Sequence, residues 1–221
     1  MKTKIVIIGG KGTAVVVAEQ IIDAIERYNY DAEILGFAFD DPDMTQVMEY
    51  PILCHSYEVR DKFVQFDDVR FLYLLYRSDL IKVRSELRDS FNIPKEKYLN
   101  FIHPTAYVAR SVQMGFGNII LANCVFNSNA KLGSFNTFNS ACLIGHDTVI
   151  GNSNFCAAHT CIGSGLDIGD MNFFGINCCI KNKVIMGDCN LIGQCANVVK
   201  NIECNSVLVG NPAKPLVKTC K

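Results

Sequence analysis

The chain has 221 residues, 49% of them apolar and 19% charged, enough to build a sizeable core in one or two domains and too much for a disordered chain. Lys plus Arg number 21 against 22 for Asp plus Glu, which excludes a global basic field for nucleic acid and a polybasic membrane patch. Purely apolar stretches such as Ile5 to Ile8 fall far short of the ~20 residues of a membrane span, so none is expected.

Taken in chain order, Met1-Lys2-Thr3-Lys4 leads directly into a short apolar strand, without the long apolar segment of a signal peptide. Together with an odd count of 11 cysteines, this points to a cytoplasmic protein with reduced thiols. No C-x-x-C occurs and Cys178-Cys179 are adjacent, so the cysteines read as small buried hydrophobes and no metal is expected. The strand Lys4 to Ile8 ends at Gly9-Gly10-Lys11-Gly12-Thr13. A helical pattern follows, with Ala14, Val17, Ala18, Ile21, Ile22 and Ile25 on one face. A second strand is predicted near 32–39, a turn at Asp40-Asp41-Pro42-Asp43, a third strand at 70–75 and a polar amphipathic helix at 78–90. Alternating strands and helices imply a parallel sheet, so residues 1–98 read as a small Rossmann-like α/β domain. The loop at Gly10, Lys11, Gly12 and Thr13 follows a strand and opens a helix. It is either a phosphate-binding turn or only a tight strand–helix connection.

From residue 99 to 221 the pattern changes. Every sixth residue from Ile102 through Val108, Met114 and Ile120 to Val198 is apolar, 17 in all. At this apolar content a single phase would do so by chance in roughly five cases per million. Gly115, Gly133, Gly151, Gly169 and Gly187 recur every 18 residues, one triangular turn of a parallel β-helix made of three hexapeptides. The position four after each apolar anchor is often small or stackable, as at Asn118, Cys124, Asn136, Cys142, Thr148, Thr160 and Cys178, so several cysteines should fill narrow inward sites. Such a solenoid has open ends and flat faces, and self-association is expected.

Four histidines carry the candidate chemistry. His55 reads as a loop or surface residue and His103, in Phe101-Ile102-His103-Pro104, as structural. His146 follows an anchor and a glycine in Ile144-Gly145-His146-Asp147, which places it near a coil corner facing outward. His159 sits at a similar corner.

The six-residue period and its apolar-Gly hexads resemble the hexapeptide-repeat acyltransferases. The resemblance implies a left-handed β-helix and a homotrimer with active sites at subunit interfaces. Residues 139–147, Asn-Ser-Ala-Cys-Leu-Ile-Gly-His-Asp, resemble the catalytic-histidine region of one branch, which joins a small Rossmann-like nucleotide domain to the β-helix. That branch contains bacterial sugar-nucleotide N-acetyltransferases and proteins labelled sialic acid O-acetyltransferases. By that likeness His146 is the general base, Asp147 its acidic partner, and Asn139 holds the acceptor amine or hydroxyl. Phe155, Gly163, Gly175, Ile176, Gly193 and Gln194 line the acetyl-CoA site, with the glycines leaving room on the outer wall for the pantetheine arm. The Gly10–Thr13 loop and Gly36-Phe37-Ala38-Phe39-Asp40-Asp41, through Asp40 and Asp41, hold a UDP- or dTDP-linked amino sugar. The segment Gly210-Asn211-Pro212-Ala213-Lys214 resembles the family's closing segment over CoA. Four places depart from the branch. Gly145 stands where Asp or Asn is usual, Phe155 where a CoA-contacting histidine is usual, Thr13 where a loop histidine is common, and Tyr76-Arg77-Ser78 where a third-strand exit glycine is common; His159 either replaces the missing donor or faces solvent.

The chemistry fits those residues. A thioester attacked by an amine or hydroxyl needs a base that takes the nucleophile's proton, and a neutral imidazole suits that task near neutral pH. Adjacent strand residues point apart, so a direct His146–Asp147 contact within one subunit is not expected. The oxyanion donor is expected to be a backbone N–H of a glycine-bearing coil. The sequence therefore reads as an acetyl-CoA-dependent N-acetyltransferase of a nucleotide-linked 4-amino-dideoxysugar in surface polysaccharide or glycan synthesis. The alternatives are O-acetylation of a sialic acid or related sugar, and a non-catalytic nucleotide-binding scaffold.

Overall fold

A computed structural model of the chain describes residues 2–216. The chain divides into two units between Pro104 and Thr105. The first is built on a five-stranded sheet of order β3-β4-β2-β1-β5. β1 (Thr3–Ile8) lies at its centre, parallel to β2 (Ala32–Ala38) and to β5 (Val69–Tyr73). Ile5, Val6, Ile7 and Ile8 are completely buried, as a strand covered on both faces requires. α1 (Thr13–Tyr28) turns Ala14, Val17, Ala18, Ile21 and Ala24 into the core and stops at Asn29, whose left-handed φ of 55° lets its N–H bond to the Ala24 carbonyl.

The predicted third strand and following helix are displaced by a few residues. β5 ends at Tyr73, and α3 (Ile81–Ser90) starts after a turn held by the two-bonded Arg77–Asp79 pair, with bonds of 3.1 and 2.6 Å. The edge hairpin of β3 (Gln46–Val47) and β4 (Tyr50–Cys54), and the short α2 (Val59–Phe63), carry too few periodic residues to be read from sequence. His103 is structural. It is 2% exposed, with Nε2 3.2 Å from Asp23 Oδ2 and its ring edge-on to Tyr28 and Phe101.

The second unit is a triangular parallel β-helix. Two-residue strands recur every six residues from Tyr107–Val108 to Asn197–Val198. Up to Cys179–Ile180, each pairs in register with the strand 18 residues later, as in Val125↔Leu143, Lys131↔Val149 and Thr137↔Phe155. Three faces result. Face I carries Val125–Phe126, Leu143–Ile144 and their repeats; face II carries Lys131–Leu132 and Val149–Ile150; face III carries Thr137–Phe138 and Phe155–Cys156. The predicted anchors from Ile120 to Val198 are all buried, at 5% exposure or less, whereas Val108 and Met114 in the first coil are half-buried.

The corners explain how six residues make one side of the triangle. The third residue after each anchor from Met114 to Ile192 is left-handed, among them Asn129 (φ 62°), Asp147 (φ 57°) and His159 (φ 61°). Such a backbone costs a non-glycine residue roughly 1–2 kcal/mol. The cost is offset because its N–H reaches one coil back, to a carbonyl as in Asp147 to Ser128 at 3.0 Å and Asn177 to Ala158 at 3.0 Å, or to a hydroxyl as in Asn129 to Ser111 Oγ at 2.8 Å. The fourth residue points inward, and at the II–III corner it is asparagine in five successive coils: Asn118, Asn136, Asn154, Asn172 and Asn190. Each Oδ1 accepts the backbone N–H of the next rung at 2.8–3.0 Å. At the III–I corner the same slot holds Cys124, Cys142, Thr160 and Cys178, all fully buried, as the spacing predicts. Burial pushes the Cys178 thiol up to about 12. The period stops at Val198 because the last coil is two residues shorter. Leu191 pairs with Val207, and Val207–Val209 then folds back antiparallel against Lys214–Pro215.

Candidate active site

The sequence candidates in the β-helix fall on two different edges. His146, Asp147 and Gly163 lie at the I–II corner; Asn139, His159, Gly175, Ile176, Gly193 and Gln194 lie at the III–I corner, with face I between them.

At the I–II corner His146 Nδ1 is 2.7 Å from Asp147 Oδ2, and both side chains are exposed, at 62% and 57%. The expected lack of contact is corrected here. The alternation of a strand does not apply, because the left-handed Asp147 turns its Cβ back towards the residue before it. Asn129, one coil earlier, donates from Nδ2 to Asp147 Oδ1 at 2.9 Å. The hydrogen bond with His146, followed by that from Asn129, holds the Asp147 carboxyl below the ordinary carboxylate range. A carboxylate can only accept, so Nδ1 carries the ring proton and Nε2 is left as the acceptor of a neutral imidazole. Beside the pair runs a groove of about 420 Å³ lined by Ser111, Gln113, Asn129, Lys131, Asp147 and Val149.

The III–I corner is distinguished by its backbone. The N–H groups of Gly145, Gly163, Gly175 and Gly193 each donate to a carbonyl of the next coil at 2.8–3.0 Å, so the glycines themselves offer no N–H to an oxyanion. The second residue after each anchor is different. At the II–III corner a side chain of the next coil accepts that N–H, as Asn152 Oδ1 does for Ser134 at 2.8 Å and Asp170 Oδ1 for Asn152 at 2.6 Å. At the III–I corner the N–H groups of Ala158, Ile176 and Gln194 meet no acceptor among the described residues, and Ile176 and Gln194 are exposed.

The glycines serve this edge in a way the sequence reading did not anticipate. A Cβ at Gly175 would stand 2.6 Å from the Gln194 nitrogen, over its free N–H, so the room they leave lies between coils and not on the outer wall. Phe155 is buried on face III, 8% exposed, with its ring stacked on Phe173 at 5.7 Å. Asn139 is half-buried and bonds weakly to the Cys156 carbonyl at 3.4 Å. His159 is exposed at its corner. The Gly210–Lys214 segment folds over Asn197 of the last coil, with Ala213 N–H to Asn197 O at 2.8 Å and Asn197 Nδ2 to Asn211 Oδ1 at 3.1 Å.

In the α/β unit the loop before α1 holds Gly12 at φ 56°, and no acceptor among the described residues meets the N–H groups of Gly12 and Thr13. Gly10 is fixed by Phe39, whose ring a Cβ would overlap. Lys11 Nζ sits 2.6 Å from Asp41 Oδ2 and 5.9 Å over the Phe39 ring, and Lys11 is the main reason the Asp41 carboxyl lies below its ordinary range. Asp40 accepts from Ser56 through both backbone N–H and Oγ, and lies 3.3 Å from His55 Nδ1. His55 stacks on Tyr57 at 5.3 Å, a placement its sequence context did not reveal. Asp40 and Asp41 thus shape the loop as well as facing it. Asn129, Lys131, Gln113 and Ser111 also escaped the sequence reading. The available signal was the 18-residue spacing, which aligns Ser111 and Asn129 under Asp147. Among the described residues no group of three or more His, Cys, Asp or Glu could hold a metal ion.

No family model and no curated protein matches the sequence. Solved structures do share its fold over almost the whole chain. Perosamine N-acetyltransferase from Caulobacter crescentus, solved as a histidine variant with CoA and GDP-perosamine, is 22% identical with a TM-score of 0.81 over 97% of each chain. The acetyltransferase domain of PglB from Neisseria gonorrhoeae, with acetyl coenzyme A, is 22% identical with a TM-score of 0.83 over 98% of this chain and 100% of that one. WeeI from Acinetobacter baumannii is 22% identical with a TM-score of 0.77 over 97% of this chain and 100% of that one.

Proposed function

We propose that the protein is an acetyl-CoA-dependent N-acetyltransferase acting on a nucleotide-linked amino sugar, with His146 as general base. The observation that carries the reading is the His146–Asp147 pair at 2.7 Å on an open edge of the β-helix, in a fold shared with acetyltransferases that bind acetyl-CoA or CoA. Nε2 of His146 takes the proton of the acceptor amine as its nitrogen attacks the thioester carbonyl; the tetrahedral adduct then breaks its C–S bond, and the CoA thiolate leaves with the proton returned from the imidazolium. Asp147 keeps the ring in that tautomer and stabilises the imidazolium that forms. The free N–H groups of Ala158, Ile176 and Gln194 recur once per coil, about 4.8 Å apart, and suit both the amides of an extended pantetheine arm and a developing oxyanion. The coils in this reading wind left-handed, and residues 1–98 form a Rossmann-like domain whose Gly10–Thr13 loop takes the diphosphate of a UDP- or dTDP-linked sugar.

Because the base and the free amides stand on different edges of one β-helix, the reading requires a second copy to bring them together, and a homotrimer is proposed. A second acceptor class, a sialic acid or related sugar acetylated on oxygen, is favoured by Lys131, whose exposed side chain lines the groove beside Asp147 and could pair with a carboxylate. The test is acetyl transfer from acetyl-CoA to a panel of nucleotide-linked 4-amino sugars and of sialic acids, with light scattering on the same sample. Transfer to the amines by a species of three times the chain mass is expected; transfer only to hydroxyls, or a monomer, would overturn the corresponding part.

A further inference from the structure

Nothing in the pairing of a base with an acid requires a third residue one coil away, yet the structure supplies one. Asn129 and Asp147 occupy the same left-handed corner slot, 18 residues apart. Asn129 is itself tied down, its N–H donating to Ser111 Oγ at 2.8 Å, while its Nδ2 donates to Asp147 Oδ1 at 2.9 Å. The other oxygen of Asp147 faces His146 Nδ1 at 2.7 Å. The Asp147 side chain is 57% exposed, and no other side chain makes a hydrogen bond with it among the described residues.

We propose that Asn129 is a positioning residue for the base: it locks the Asp147 carboxylate in the one orientation that keeps the His146 proton on Nδ1 and leaves Nε2 to accept. The inference rests on His146 being the base only for its consequence in turnover; the geometric part stands without it. An exposed carboxylate held by a single partner rotates freely among staggered conformers. With its second oxygen anchored, rotation would break two charge-assisted bonds at once. Asn suits the slot twice over, as the non-glycine residue best tolerated at φ 62° and as a donor of the right length.

The test uses Asn129→Gly, which keeps the left-handed backbone without strain and removes only the amide, beside Asn129→Asp, which replaces the donor with a second carboxylate. Asn123→Gly serves as the control. It sits in the same slot at the III–I corner with φ 61° and has no contact with Asp147. Long-range ¹⁵N–¹H correlation spectra report the His146 tautomer, and carboxyl ¹³C titration reports Asp147.

The Asp147 midpoint lies below the ordinary value in the wild type, so its ionised pairing persists to lower pH than for a free carboxylate and is lost as pH falls through that midpoint. Asn129→Gly should raise the midpoint towards the ordinary value and mix the two tautomers; Asn129→Asp should raise it further by like-charge repulsion. On an accepted sugar nucleotide, kcat should fall about tenfold in Asn129→Gly with KM unchanged. An unchanged tautomer and midpoint in both variants would overturn the inference. If the spectra shift as expected while the wild type transfers no acetyl group to any acceptor, the positioning role holds and the reading of the reaction falls.

Discussion

Two edges of one β-helix, built on the same six-residue rule, have been put to opposite uses. At the II–III corner the exposed N–H after each anchor glycine is closed by a side chain of the next coil, through Ser134, Asn152, Asp170, Asp188 and Cys204 in turn. Behind that row runs the buried asparagine ladder. At the III–I corner the equivalent slots hold Ala158, Ile176 and Gln194, which close nothing. The backbone is the same; what differs is whether the next coil brings an acceptor. In the proposed reading, a repeat scaffold becomes a binding surface where one column of side chains stops serving the scaffold. The polar residues most often buried here, the asparagines, are therefore structural, and the amides left open belong to residues of no chemical distinction.

The comparison can be broken first at the I–II corner, where the proposed mechanism rests on one exposed side chain. His146→Ala should lower kcat by about 10²–10⁴ on an accepted acceptor, the usual contribution of positioned acid–base catalysis. It should leave the melting temperature almost unmoved, because a 62% exposed imidazole holds no coil together. Near-normal kcat in steady-state kinetics would transfer the role to another group and remove the mechanism.

The sealed edge should answer in the opposite sense. Asn154→Leu orphans the Asn172 N–H and the Gly169 carbonyl, now bonded at 2.8 and 3.0 Å, in the middle of the ladder. The expected loss is about 2–5 kcal/mol of unfolding free energy by denaturant titration. In the fraction that remains folded, kcat should be within a few-fold of the wild type. A Leu variant as stable as its parent would show that the ladder is ornamental.

The smallest effect separates the two edges most cleanly. Gly175→Ala places a methyl against the free Gln194 N–H, whereas Gly151→Ala crowds the sealed edge near Asp170 and Gly169. Both should cost about 1–3 kcal/mol of stability through overpacking. Only Gly175→Ala should also weaken acetyl-CoA binding, by about tenfold in calorimetry. Equal binding by the two variants would mean that the open amides are not the acetyl-CoA surface.

The candidate site was legible in the sequence where it follows the repeat and illegible where it depends on what stands one coil away. His146 could be picked out because it follows an anchor and a glycine, and so had to be an outward corner residue. Asn129 could not, since an exposed asparagine in a turn is ordinary and only its position under Asp147 gives it a partner. The contact between His146 and Asp147 was misjudged because strand alternation was applied to a residue that the corner makes left-handed. In the α/β unit the glycine loop was visible. The Lys11–Asp41 and Asp40–Ser56 bonds that shape it join residues 30 and 16 positions apart, and no local pattern announces them.

What the sequence determined by itself is the scaffold. A solenoid repeats the same burial every six residues, so the period of the apolar side chains fixes which residues face inward from Ile120 to Val198 without reference to any distant contact. What only the tertiary structure decided is which corner amides are capped and which are left open, and which side chains reach His146 and Asp147. Those outcomes depend on residues 18 apart being stacked in register, where a difference of one side chain in the next coil turns a structural hydrogen bond into an unpaired donor.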